Sequence, residues 1–201
     1  MKINIIGKGS FGTLLDKILS PHFELTTEAE SVILAVPISS YETVANEHRD
    51  KHLINVCSVQ RPSTDHILKY TSSVTCLHPL FGDRTPRDRR NTIVTKTISG
   101  ENVKFAENEH LFLEGFSKVS KLLYVDGGGE PFTPDSHDQL MARTHVAAMV
   151  AAKQMKVFVD RANDIPDELI PNSFRLMREF VRTLDDMPPG TIESIMANPY
   201  F

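Results

Sequence analysis

The chain has 201 residues, 40% hydrophobic and 24% charged, with a formal net charge of -4, the composition of a soluble globular protein long enough to bury a core. Its lysines and arginines are scattered, not gathered into a stripe, which argues against a nucleic-acid partner. Cys57 and Cys76 lie in apolar runs with no disulfide framework, and the apolar opening stops at Gly7, too short for a signal peptide or a bilayer span, so a cytoplasmic protein without membrane association is expected.

Up to about residue 125, β-branched runs alternate with polar, helix-like stretches, the pattern of a parallel sheet covered on both faces. Strands are expected near 2–6, 22–25, 31–36, 52–57, 73–77, 92–98 and 121–125, with helices near 10–20, 39–49, 62–70 and 107–118. The link between the second and third strands is too short for a crossover helix. Asp126-Gly127-Gly128-Gly129-Glu130-Pro131 then breaks regular structure, and Thr133-Pro134 supplies an N-cap and a first-turn proline. A helix over roughly 134–161 presents Leu140, Met141, Ala148, Met149, Ala152, Met155 and Val159 on one face, and shorter helices follow near 172–186 and 190–197. Three such helices close no sizeable core alone; they are expected to pack on the sheet and on a second copy, making a homodimer.

Ile5-Ile6-Gly7-Lys8-Gly9-Ser10-Phe11-Gly12 follows the first strand and opens the first helix. There a G-x-G-x-x-G sequence has a mechanism. Gly7 allows the tight turn, Gly9 lets the backbone approach a pyrophosphate, and Gly12 lets the helix pack close to the strand, while helix amides face the anion. Lys8, Ser10 and Phe11 ride in the same turn. The implied cofactor is NAD or NADP. The implied fold class is α/β, a Rossmann-type mostly parallel sheet over 1–130 followed by a small all-α region over 131–201. The second strand ends Phe23-Glu24-Leu25-Thr26-Thr27-Glu28, without the usual ribose-binding Asp. Thr26 and Thr27 suit a ribose or its 2′-phosphate, which leaves both cofactors open.

Ligands of open α/β sheets bind outside the carboxyl ends of the strands. Val36 and Pro37, closing the third strand, are therefore expected at the nicotinamide. Ser58, after the fourth, is either delivered to the same crevice or caps the next turn. Cys76-Leu77-His78-Pro79-Leu80-Phe81-Gly82 brings His78 to that edge. Imidazole suits the removal of a proton from an alcohol whose carbon loses a hydride. The basic run Arg84, Arg87, Arg89 and Arg90 reads as a solvated loop. His145, in the long helix, either faces the crevice or packs among its apolar neighbours.

These residues resemble the prephenate and arogenate dehydrogenases of tyrosine biosynthesis. The likeness rests on the glycine loop, Ile33-Leu34-Ala35-Val36-Pro37, Val56-Cys57-Ser58-Val59, His78-Pro79-Leu80-Phe81-Gly82 and the stretch from Thr133 to Ala142, TPDSHDQLMA. The resemblance implies a small-molecule substrate, prephenate or arogenate, oxidised and decarboxylated with NAD or NADP. In it, His78 accepts the ring-hydroxyl proton and Ser58 orients that hydroxyl. His137 opens the long helix beside Asp138, a pair whose expected work is helix capping and a fixed domain junction, with His137 and His145 as substrate-side candidates. Arg182 or Arg175 binds a substrate carboxylate, Arg182 being favoured. Three features depart from the family pattern: Gln60 where many members have lysine, Met149 where relatives often carry a second histidine, and a shorter helical region. Two other readings stay open, an NADP-dependent imine or keto-acid reductase and an NAD(P)-sensing protein without turnover.

Overall fold

The strand segments 31–34, 52–55 and 74–79 are buried at every position, so both faces of the sheet are covered there. A computed structural model describes residues 1–95, 103–185 and 187–201. Its strands are β1 (Lys2–Ile6), β2 (Glu24–Leu25), β3 (Ser31–Leu34), β4 (His52–Asn55), β5 (Val74–Pro79), β6 (Asn91–Val94) and β7 (Lys121–Leu123). They form one sheet in the order β2-β1-β3-β4-β5-β6-β7. The sheet is mostly parallel. β6 alone reverses against its neighbour β5, and β7 then follows β6 in parallel. The reversal has a simple cause: residues 80–90 hold only a 3-10 turn, Arg87–Arg89, and no crossover helix, so the chain returns antiparallel. Of the expected sixth strand, residues 96–98 lie outside the described residues.

Alternate strand residues meet different helices. Ile3, Ile5, Ile33, Ile54 and Leu77 pack against α1 (Ser10–Leu19) and α4 (Val103–Phe116) through Leu14, Leu15, Leu19, Phe112 and Phe116. Val32, Leu34, Leu53, Val74 and Cys76 face α2 (Tyr41–Glu47) and α3 (Arg61–Leu68) through Tyr41, Val44, Ala45 and Ile67. Cys57 and Cys76 are buried and free. Among the described residues no helix is long and apolar enough to cross a membrane.

Thr133 caps the long helix as expected. Its hydroxyl accepts from the Ser136 amide at 3.1 Å while the Ser136 hydroxyl accepts from the Thr133 amide at 2.9 Å, with Pro134 in the first turn. The helix then has three parts: α5 (Pro134–Met141), a π turn (Ala142–Val146) and α6 (Ala147–Asp160). α7 (Asn172–Asp185) packs back along α6, and Lys156 Nζ meets Asp185 Oδ2 at 3.3 Å. α8 (Pro189–Met196) closes a small core of its own, in which Val146, Met149, Ala152 and Ile195 are buried. Met149 is thus a core residue.

His52 is buried in the sheet between Ser31 Oγ, at 3.2 Å from Nδ1, and Thr75 Oγ1, at 2.9 Å from Nε2. Burial pulls its pKa from the ordinary 6.5 down to about 4. The unfolded chain therefore binds this proton before the folded one does. The stabilisation is whole above pH 6.5 and is lost as pH falls from 6.5 towards 4. Urea unfolding over that window should show stability falling by about 1.4 kcal/mol per pH unit for this group alone, and His52→Gln should flatten the slope by that amount.

Candidate active site

The turn between β1 and α1 is closed on one side and open on the other. Gly7 holds φ at +113°, a region side chains rarely adopt, and a Cβ there would fall 2.1 Å from the Ala35 carbonyl oxygen. A Cβ on Gly12 would fall 2.1 Å from the Gly7 oxygen, so α1 lies hard against the turn. Gly9, the extended N-cap, is different: a Cβ there meets nothing within 4 Å. The first intrahelical bond runs from the Thr13 amide to the Gly9 oxygen at 2.9 Å. The amides of Ser10, Phe11 and Gly12 are therefore left for another acceptor. No acid stands in the first turn, and the helix dipole favours an anion. These features fit a dinucleotide diphosphate, with Lys8 and Ser10 exposed beside it. Phe11 turns the other way, its ring 6.3 Å from that of Phe81. Val36 and Pro37 adjoin the turn, since the Ala35 amide donates to the Ile6 oxygen at 2.8 Å.

At the carboxyl end of β5 the expected histidine is part of a longer chain of groups. His78 Nδ1 lies 2.9 Å from His137 Nε2, and His137 Nδ1 lies 2.7 Å from Asp138 Oδ1. Asp138 also accepts the amides of Gln60, at 2.7 Å on Oδ1, and Arg61, at 2.8 Å on Oδ2. His78 is 3% exposed, and His137 and Asp138 are fully buried. The His145 ring lies parallel to that of His78, 6.1 Å away and half-buried. Burial first, and then the nearby rings of His137 and His145, push the His78 pKa well below 6.5; burial and His137 also lower that of His145. Both rings are neutral at physiological pH.

The π turn explains the meeting of three histidines. In a regular α-helix eight residues would leave His145 about 80° around the axis from His137. One residue absorbed in a π turn removes most of that angle, so both rings face His78. Ser58 is half-buried in the loop from β4 to α3, and among the described residues its hydroxyl has no hydrogen-bond partner. The loop is held by Gln60, whose Nε2 donates to the Cys57 and Leu77 oxygens at 2.7 and 3.2 Å. Continuing the pairing of Asn55 with Cys76 puts Cys57 level with His78 and Ser58 one residue beyond. The two share an edge without touching.

Several expectations change. His137 faces no crevice, because both ring nitrogens are engaged inside the protein; it stands behind His78. Asp138 caps α3 from outside, not its own helix, whose cap is Thr133. Thr26 directly follows the two-residue β2, and its hydroxyl accepts the Glu28 amide at 3.3 Å. β2 ends level with Ile3, three residues before the end of β1. Arg175 Nη2 donates to the Asp167 oxygen at 2.6 Å, past the far end of α6. Arg182 precedes Asp185, which meets Lys156. That lysine is about 16 Å along the helix from His145 at 1.5 Å per residue. Neither arginine approaches His78 within one chain. What the sequence did not disclose is Gln60 as a brace, the π turn, and the seat of the expected last helix, α8, whose Gly190 would bring a Cβ to 3.0 Å from Pro37 Cγ.

No protein-family model matches the sequence, and no curated protein matches it. Solved structures do. A Corynebacterium glutamicum protein assigned as a prephenate dehydrogenase matches with a TM-score of 0.71 and 16% identity, over 96% of this chain and 73% of its own. Prephenate dehydrogenase from Aquifex aeolicus, in complex with hydroxyphenyl propionate and NAD+, gives 0.66 and 14% over 98% and 82%. Synechocystis arogenate dehydrogenase gives 0.60 and 17% over 98% and 84%. The chain has the fold of these dehydrogenases. Its glycine turn and His78 stand at the edge where such a sheet binds ligands.

The two glycines separate stability from binding. Gly7→Ala, forced into positive φ against a carbonyl, should destabilise the protein by about 3 kcal/mol, read from the urea midpoint by circular dichroism. Gly9→Ala should cost less than about 1 kcal/mol, the scale of an N-cap change.

Proposed function

We propose that this protein is an NAD(P)-dependent dehydrogenase that oxidises a cyclohexadienol acid of the prephenate or arogenate type with loss of carbon dioxide. The observation that carries the reading is a neutral, desolvated His78 at the carboxyl edge of β5, on the same sheet edge as an open diphosphate cradle. Gly9 and the amides of Ser10, Phe11 and Gly12 would hold the cofactor diphosphate, with Val36 and Pro37 beneath the nicotinamide. Bound NAD(P)+ would supply the hydride acceptor. His78 takes the hydroxyl proton through Nε2, which has no partner among the described residues, and Ser58 orients that hydroxyl. His145 shields the pair from water. The carboxylate on the ring then departs as carbon dioxide, its bonding electrons completing the aromatic ring, and the ring oxygen takes the proton back from His78 to give the phenol. The protein's work is positioning and proton removal.

Thermal-shift measurements with NAD+ and NADP+, followed by absorbance assays with prephenate and arogenate, test this reading. His78→Asn should lower turnover by about 10²- to 10⁴-fold with cofactor affinity retained, and Gly9→Ala should weaken cofactor binding at least about tenfold. Cofactor binding without turnover on either acid would favour a sensing role and defeat the proposal.

The reading includes a homodimer through α6 and α7. Val157, Phe158, Leu169, Leu176 and Phe180 are exposed on α6, α7 and the turn between them, and clustered apolar exposure of this kind marks a surface for association. A second copy would cover it. Light scattering should give twice the 22.6 kDa chain mass, and Phe158→Glu with Leu176→Glu should give the monomer.

A further inference from the structure

A neutral imidazole carries one proton on one of two nitrogens, and only the bare nitrogen can accept another. For a proton acceptor the tautomer is therefore decisive. We infer that Asp138, acting through His137, holds His78 in the form protonated on Nδ1, so that Nε2 is left bare towards the crevice. This deepens the proposed function and rests on its reading of His78 as the acceptor.

The order of donors follows from the fixed end of the chain. The Gln60 and Arg61 amides can only donate, and both aim at the Asp138 oxygens at 2.7 and 2.8 Å. A carboxylate has acceptors alone, so the 2.7 Å contact with His137 Nδ1 requires the proton on that nitrogen. A His137 ring that carries this one proton has its lone pair on Nε2. The 2.9 Å contact from there to His78 Nδ1 requires a proton on Nδ1 of His78. With a single proton on the His137 ring the two links keep one direction, and only a second proton on His137 Nε2 would turn the His78 contact round. Water cannot substitute for a link, because His137 and Asp138 are fully buried. His145 does not compete: it meets His78 ring to ring, with centroids 6.1 Å apart. The same carboxylate also fixes the loop that carries Ser58, since Gln60 and Arg61 follow it by two and three residues. Asp138 is thus a positioning residue for both groups of the proposed site. It touches neither cofactor nor substrate.

The test reads the tautomer directly. Protein labelled with 15N at histidine, examined by two-bond nitrogen–proton correlation NMR, reports which ring nitrogen is bare in each residue; His78→Asn and His137→Gln assign the signals. The wild-type protein should show Nδ1–H in both His78 and His137. A proton on His78 Nε2 would overturn the inference. In Asp138→Asn the carboxamide can donate to His137 Nδ1 and so reverse the chain. His78 should then carry its proton on Nε2, and kcat should fall on the order of 10³- to 10⁴-fold, as for a mis-set tautomer in a relay, with KM and cofactor affinity kept. An unchanged His78 tautomer in a folded Asp138→Asn protein would equally overturn it. The wild-type measurement needs neither the variant nor a substrate. Failure of the proposed activity therefore leaves this result standing or falling by itself.

Discussion

Asp138 sits out of contact with solvent between the amino end of α3 and the ring of His137, and three N–H groups converge on its two oxygens. A buried carboxylate is tolerated only when its hydrogen bonds are complete, and removing it would orphan all three donors at once. This interaction crosses from the long helix to the sheet. It does so at the place where the proposed chemistry would need both, because the next link is His78. The docking of α5 is therefore not a matter of apolar contact alone. A sliding helix would keep much of its burial and lose the relay.

The same edge of the sheet is wet at one end and dry at the other. At the glycine turn Lys8, Gly9 and Ser10 are exposed, and a helix terminus offers unsatisfied amides to an anion. At the carboxyl end of β5, burial and neighbouring rings keep His78 neutral. The parallel run from β1 to β5 makes this possible, since it brings the carboxyl ends of all these strands to one side. The small core shared by α6 and α8 closes the helical side, with α8 reaching Pro37 beside the proposed nicotinamide position.

Much of this was legible in the residues. The seven strands, the missing crossover helix between β2 and β3, the Thr133 cap and the constrained Gly7 all follow from periodicity, turn chemistry and steric allowance over a few neighbouring positions. The illegible parts share a different character. Arg175 and Arg182 look available on a helix surface, yet α7 runs away from the site. His137 reads as a capping residue or a substrate-side candidate until the docked helix buries it behind His78. The second strand ends at residue 25 as expected, and only its pairing with Ile3 shows that it stops three residues before the end of β1.

By itself the sequence determined the sheet, the glycine turn and the presence of a histidine at a strand end, because each is set by interactions among residues close in the chain. Tertiary structure alone decided which groups stand behind that histidine. The contacts from Asp138 to Gln60 and from His137 to His78 span 78 and 59 residues. A single residue absorbed in the π turn decides whether His145 joins them. Such pairings are selected by how a helix seats on a sheet and by the cost of burying an unpaired polar group, and no local pattern encodes either.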